Sequence, residues 1–155
     1  MKKYQRSQTY NEIFLESKEE NWRQKIDIVQ EQPKHFGKLS QIEKIQVDSL
    51  INIATNKILA VFGRLEPKDY IDLYVICTQT ELQFEELFEM AKEKDTGLSQ
   101  FYFANTIVNV DQLKTLPTMK TPFDRVVFTK FIMISPEDYF KKSNPDLLNL
   151  SLFKK

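Results

Sequence analysis

Along the first fifty residues polar and apolar positions alternate in short runs. In Lys25-Ile26-Asp27-Ile28-Val29-Gln30, Ile26 and Ile28 fall on one side and Lys25 and Asp27 on the other, the period of two expected of a half-buried strand. A loop containing Pro33 and Gly37 follows, and Ile42-Glu43-Lys44-Ile45-Gln46-Val47 predicts a second, weaker strand. Residues 8–20 fit a strand or a helix.

From Asp48 the period lengthens to that of a helix. Leu50, Ile51, Ala54, Ile58, Val61 and Phe62 form one stripe, with Asp48 placed to cap the helix and Gly63 to end it. Pro67 suits the first position of a second helix, where its missing N–H costs nothing, and Asp69 then lies in the first turn beside the free amides. Ile71 and Leu73 to Cys77 leave that helix little polar face and predict it to be central. A third helix is predicted from Thr80, with Gln83 completing a capping box, Phe84, Leu87, Phe88 and Ala91 on its apolar side, and Gly97 stopping it. A fourth follows Ser99 through Phe101 and Ile107. Beyond Pro117, Thr121-Pro122 and Ser135-Pro136 both read as helix starts, although Val126 to Ile132 is rich in strand-favouring residues; helices are expected there. The tail from Asn144 is expected to be loose. The pattern predicts an α+β protein, with two or three strands in residues 1–48 and a bundle of about five helices in residues 49–155.

Composition narrows the function classes. At 155 residues and 41% hydrophobic the chain can bury a real core, which excludes a disordered protein. Lys plus Arg and Asp plus Glu are each 22, so no overall positive charge is available to hold a polyanion. One cysteine, Cys77, and one histidine, His35, exclude a disulfide framework and a Cys/His zinc site. Gly37, Gly63 and Gly97 are too far apart to form a phosphate-cradling loop. Basic residues at the start are followed by no apolar stretch, and the longest charge-free run, Thr96 to Val110, is too short and polar to span a membrane. A cytoplasmic protein without membrane partners is expected.

The chemistry-bearing residues concentrate between Asn56 and Tyr74. Lys57 and Arg64 are seven apart, two helical turns, and so share a side of the first helix; Asp69 and Asp72 are three apart and share a face of the next. Cations and carboxylates on adjacent, mostly apolar helices are costly to bury unless they answer one another or a ligand. The residue types leave two readings open: a structural ion-pair network, or a catalytic or ligand-binding cluster. Elsewhere, His35 reads as a surface-loop residue, Cys77 as a buried and inert thiol, and Phe101-Tyr102-Phe103 as core.

The ordered set Asn56-Lys57, Ala60, Gly63-Arg64, Pro67-Lys68-Asp69 and Asp72-Leu73-Tyr74 resembles the corresponding segment of the AbiEii/AbiGii-type nucleotidyltransferase toxins of type IV toxin–antitoxin and phage-defence systems. Lys25 to Val29, the loop from Pro33 to Gly37, and Val47-Asp48-Ser49-Leu50 with Ile53-Ala54 look like that family's approach to the same helix. The resemblance covers roughly Trp22 to Tyr74, and more loosely the helices to about Lys142. It implies a polymerase-β-like fold, Mg²⁺ and an NTP as cofactor and substrate, and nucleotide transfer to an acceptor such as RNA. By resemblance Asp27 matches the third carboxylate of the metal cluster, Lys57 and Arg64 face the triphosphate with Lys68 nearby, and Asp69 and Asp72 match the acidic positions on the following helix.

The family's Gly-Gly/Ser helix start and Asp-x-Asp pair have no counterpart, since no glycine precedes Gly37 and no Asp-x-Asp occurs. Asp27 alone cannot make a two-metal site. The expectation is a truncated, split or degenerate homologue, inactive alone, with residues 1–48 a remnant of the nucleotidyltransferase sheet. The alternative is a non-enzymatic module that binds a partner protein. The expected partners are an antitoxin or the missing catalytic half. Strands near Asp27 need cover from self-association through a strand edge, from a partner, or from a fold-back of Tyr10 to Leu15.

Overall fold

The computed structural model describes residues 4–6, 10–30, 34–113, 115–117, 119 and 123–143. Among the described residues, strands near the N-terminus and five helices after them make an α+β fold, divided between two units, Met1–Pro33 and Lys34–Lys155.

In the first unit β1 (Tyr4–Arg6), β2 (Tyr10–Ser17) and β3 (Trp22–Val29) form an antiparallel sheet in that order. The ambiguity at residues 8–20 thus resolves as a strand over Tyr10–Ser17, which folds back onto β3 with Ile13 opposite Ile26 and Glu12 opposite Asp27. Asn21, at a φ of 51°, helps the tight turn between them. The pleat sorts the sheet into a face with Ile13, Leu15, Trp22, Ile26 and Ile28 and a face with Glu12, Phe14, Glu16, Arg23, Lys25 and Asp27. On the charged face Arg23 lies over the Phe14 ring, 4.3 Å from its centre.

The second unit opens with a hairpin, β4 (Ser40–Ile42) and β5 (Ile45–Val47), paired antiparallel. The single strand expected over residues 42–47 is therefore two short ones, because Glu43 and Lys44 form the turn between them and Glu43 takes a φ of 54°. The helices α1 (Leu50–Gly63), α2 (Pro67–Gln79), α3 (Phe84–Lys94), α4 (Gln100–Ile107) and α5 (Arg125–Ser143) follow, with a 3-10 turn at Val108–Gln112. Their core includes Ile58, Val61, Tyr70, Leu73, Leu87, Phe88, Phe103, Ile107, Phe128 and Ile132. Tyr74 meets Phe123, Phe128 and Phe131 edge-on, which locks α2 to α5. Among the described residues no helix is long and apolar enough to cross a membrane.

Several local expectations change. The cap of α1 is Ser49, whose hydroxyl accepts from the Asn52 amide, while Asp48 turns its carboxylate to its neighbours; Leu50 is exposed rather than part of the stripe. The central helix is α1, packed on α2, α3 and α4, whereas Tyr74 to Cys77 of α2 stay only partly buried. Thr80 caps the end of α2, its hydroxyl donating to the Ile76 carbonyl, so α3 starts later, at Phe84. It ends at Lys94, before Gly97 is reached. Of Phe101-Tyr102-Phe103 only Phe103 is core. Pro136 lies inside α5 rather than starting a helix, while Thr121, Pro122 and the tail from Asn144 lie outside the described residues. Helix wins over strand at Val126 and Val127 because Asp124 caps both amides and Phe128 and Ile132, one turn apart, supply a buried anchor.

Gly37 fixes how the loop ahead of the hairpin meets α1. Its φ is +74°, and a Cβ there would sit 2.7 Å from Ser49 Oγ and 2.9 Å from Ile51 Cγ2. Gly37→Ala is expected to cost about 2 kcal/mol or more, combining left-handed strain with a clash against the cap of α1. Gly63→Ala, with open space around the new methyl, should be neutral or stabilise by up to about 1 kcal/mol. Urea unfolding of the two variants checks both.

Candidate functional site

Three residues, Arg64 to Glu66, separate α1 from α2, so the last turn of one helix meets the first turn of the other. Asp69 stands in that first turn, its own amide bonded to the Glu66 carbonyl at 3.0 Å, and its side chain is fully buried. Lys57 Nζ donates to one carboxylate oxygen at 3.0 Å and Arg64 Nε to the other at 2.7 Å. Lys57 extends to Asp72 Oδ2 at 2.6 Å. The four residues that sequence spacing brings to facing sides of two helices thus form one chain of alternating charge, Arg64–Asp69–Lys57–Asp72. Its burial is graded: Asp69 is at 0% exposure and Lys57 at 24%, while Arg64 and Asp72 reach solvent.

Electrostatics follow from that gradient. Burial pushes the Asp69 carboxyl up, but hydrogen bonds from Arg64 and Lys57 outweigh it and hold the group below the usual carboxylate range. For Lys57 burial favours the neutral amine, and the bonds to Asp72 and Asp69 reverse this and raise it.

A cavity of about 460 Å³ borders the cluster. Ile53, Ile71, Val75 and Ile76 make it mainly apolar, and Lys57, Lys68 and Asp72 supply its charge. Arg64 is absent from its lining, being turned to Asp69. Lys57 is shared between two carboxylates, which leaves Lys68 as the lining cation with no ion pair among the described residues.

Asp27 belongs to the first unit. It accepts from Tyr10 Oη at 2.7 Å and lies 3.2 Å from Lys25 Nζ, while Lys25 also reaches Glu12 at 2.7 Å. The ammonium of Lys25 sits between the Glu12 and Asp27 carboxylates, where a cation would go. A Mg²⁺ ion held there would have to displace the Lys25 ammonium and take its remaining oxygen ligands from water or substrate. Among the described residues no three of His, Cys, Asp and Glu come together to hold a metal ion.

A second polar cluster escaped the sequence reading. His35, expected to be a surface-loop residue, brings Nε2 to 2.7 Å from Asp48 Oδ1, and Asp48 Oδ2 accepts from the buried Asn52 at 2.8 Å. Asn52 Oδ1 accepts from the Phe36 amide at 3.1 Å and from Lys94 Nζ at 2.7 Å, and Lys94 also reaches Asn56. Ser49 is committed to the Phe36 carbonyl and the Asn52 amide, so Ser49, His35 and Asp48 form a brace rather than a nucleophilic triad. The sequence signal was the polar series Asp48, Asn52, Asn56, spaced one turn apart on an otherwise apolar helix. Cys77 is partly buried, and burial pushes its thiol up to about 11, which disfavours the thiolate near neutral pH. No family model matches the chain, and no curated protein or solved structure matches it significantly.

Lys57→Met and Arg64→Leu are each expected to cost about 1–3 kcal/mol, since Asp69 keeps one charged partner. The double variant should cost more than the sum, because it strands a buried carboxylate, and adding Asp69→Asn should recover part of the loss. Because the folded pKa of Asp69 is depressed, its contribution is complete above the unfolded value of about 4 and is lost as pH falls through the folded value. Urea unfolding between about pH 2 and 5 should therefore show a steeper loss in the wild type than in Asp69→Asn.

Proposed function

We propose that the chain is a truncated or split homologue of the AbiEii-like nucleotidyltransferases that does not transfer nucleotides by itself. The observation that supports this most is the convergence of Lys57, Arg64, Asp69 and Asp72, four positions of the resembling segment, into one ion-paired cluster beside a cavity. In this reading Lys57 and Lys68 are the cations that a phosphate-bearing ligand meets. Arg64 and Asp69 hold the two helices in place beneath it. The family reaction is NTP-dependent transfer to an acceptor such as RNA, with stabilisation of spreading negative charge by Mg²⁺ and cations. In this chain Asp27, matched to a metal carboxylate, is engaged by Lys25 and Tyr10. The reading therefore assigns the metal-binding part of the reaction to a missing catalytic half, which joins an antitoxin as an expected partner. A cytoplasmic location belongs to the same reading.

A second reading, a non-enzymatic module that binds a protein partner, draws on the exposure of all eight residues of β3. Incubation of the purified chain with labelled NTPs, Mg²⁺ and total RNA is expected to give no incorporation. Incorporation that disappears in Asp27→Ala would overturn the first reading. Titration with a fluorescent ATP analogue addresses the cavity: binding that weakens in Lys68→Ala supports a retained nucleotide pocket, and unchanged affinity removes the cavity from the proposal.

A further inference from the structure

β3 is the outer strand of its sheet, and two features make it an unusual edge. It pairs with β2 over eight consecutive residues without a bulge, and none of those residues is buried. It contains no proline, and its apolar positions Trp22, Ile26, Ile28 and Val29 are 39% to 62% exposed. A long, regular edge of this kind is a template for another strand.

The order of charges along β3 specifies which strand. In Trp22-Arg23-Gln24-Lys25-Ile26-Asp27-Ile28-Val29, Lys25 and Asp27 flank Ile26 symmetrically. Laid antiparallel against a second copy of itself about a two-fold axis at Ile26, the strand sets Lys25 opposite the partner's Asp27 and Asp27 opposite the partner's Lys25. Ile26 then meets the partner's Ile26. Like the two strands of the sheet, directly opposed residues share a face, so the four charges alternate on the polar face while Ile26 and Ile28 continue the apolar one. A slip of one residue joins the apolar face to the charged face. Moving the axis to residue 27 sets Asp27 against Asp27. Moving it to residue 25 sets Lys25 against Lys25, which the two Arg23–Asp27 pairs of that register offset, so cross-linking at residue 26 is what separates the axis at 26 from the axis at 25. Lys25 and Asp27 already share a salt bridge within one sheet at 3.2 Å, and pairing would close it into a ring of four alternating charges.

We propose that β3 pairs antiparallel with β3 of a second copy of this chain, in the register centred on Ile26, to make a continuous six-stranded sheet. The contact area of one strand edge is small, so association is reversible and concentration-dependent. It is independent of the nucleotidyltransferase reading, and either can fail alone.

Sedimentation velocity of the full chain over a range of concentrations tests it. The wild type is expected to shift from monomer to dimer as concentration rises. Lys25→Asp and Asp27→Lys alone are each expected to weaken self-association at least about tenfold, as like charges then face each other twice. An equimolar mixture of the two should recover dimer, because one copy then presents acids at both positions and the other presents bases at both; recovery also shows that both variants fold. A register test that leaves these charges alone uses Ile26→Cys in a Cys77→Ala background. Opposed residues on the axis lie within disulfide reach, so mild oxidation should link two copies rapidly, and Ile28→Cys in the same background should link at least about tenfold more slowly. A wild type that stays monomeric throughout overturns the proposal. So does dimerisation unaffected by both charge reversals, or equal cross-linking at positions 26 and 28.

Discussion

A carboxylate with no access to water organises the helical unit. Asp69 can remain ionised in the interior only because each of its oxygens holds a cation, one from the middle of α1 and one from the residue that follows it. Those bonds constrain three things at once: the rotation of α1 about its axis, the path of the short connection to α2, and the placement of the first turn of α2. Apolar packing among Ile58, Val61, Tyr70 and Leu73 supplies most of the attraction, but it tolerates small slides of one helix over another. A buried charge does not, because any displacement leaves it with neither protein nor solvent partner. Ion pairs of this kind add little net stability over apolar side chains of the same volume, yet removing one partner is costly because the remaining charge is left buried and uncompensated.

The brace at the other end of α1 works on the same logic around a neutral side chain. Asn52 is fully buried and joins the loop at Phe36, the carboxylate of Asp48 and the ammonium of Lys94, so the loop, α1 and α3 are tied through one side chain. α1 is thus fixed near both ends by polar contacts and along its middle by apolar ones. The cavity beside Lys57 lies against a helix whose position is determined from both directions, which is the condition for a pocket to keep its shape without a ligand.

Where periodicity was strong and the burial one-sided, sequence was sufficient: the α3 stripe of Phe84, Leu87, Phe88 and Ala91 is buried throughout; in β3 Ile26 alternates with Lys25 and Asp27 as expected, but the expected half-burial is not found, all eight residues being exposed. The meeting of Lys57 with Asp69 and Asp72 was also legible, because two charged pairs at helical spacing on consecutive helices have few ways to be satisfied. Boundaries were less so. Ser49 and Asp48 are both good caps, and the choice was made by His35 and Asn52, which compete for the Asp48 carboxylate from positions that local pattern does not connect. Pro136 shows the reverse effect, since a residue that punctuates helices locally is carried inside α5. Glu43 and Lys44, two polar residues between Ile42 and Ile45, marked a turn that alternation alone read as strand.

The sole tryptophan has an experimental consequence. Trp22 belongs to β3, is 44% exposed, and donates its indole N–H to Glu20 at 2.8 Å. Its fluorescence is therefore an optical signal from the sheet unit alone, while far-ultraviolet ellipticity is dominated by the helices of the other unit. The two signals report on different units of one polypeptide. Following both during denaturation distinguishes a chain that melts as one cooperative block from one whose strands and helices come apart in separate transitions, with no label added.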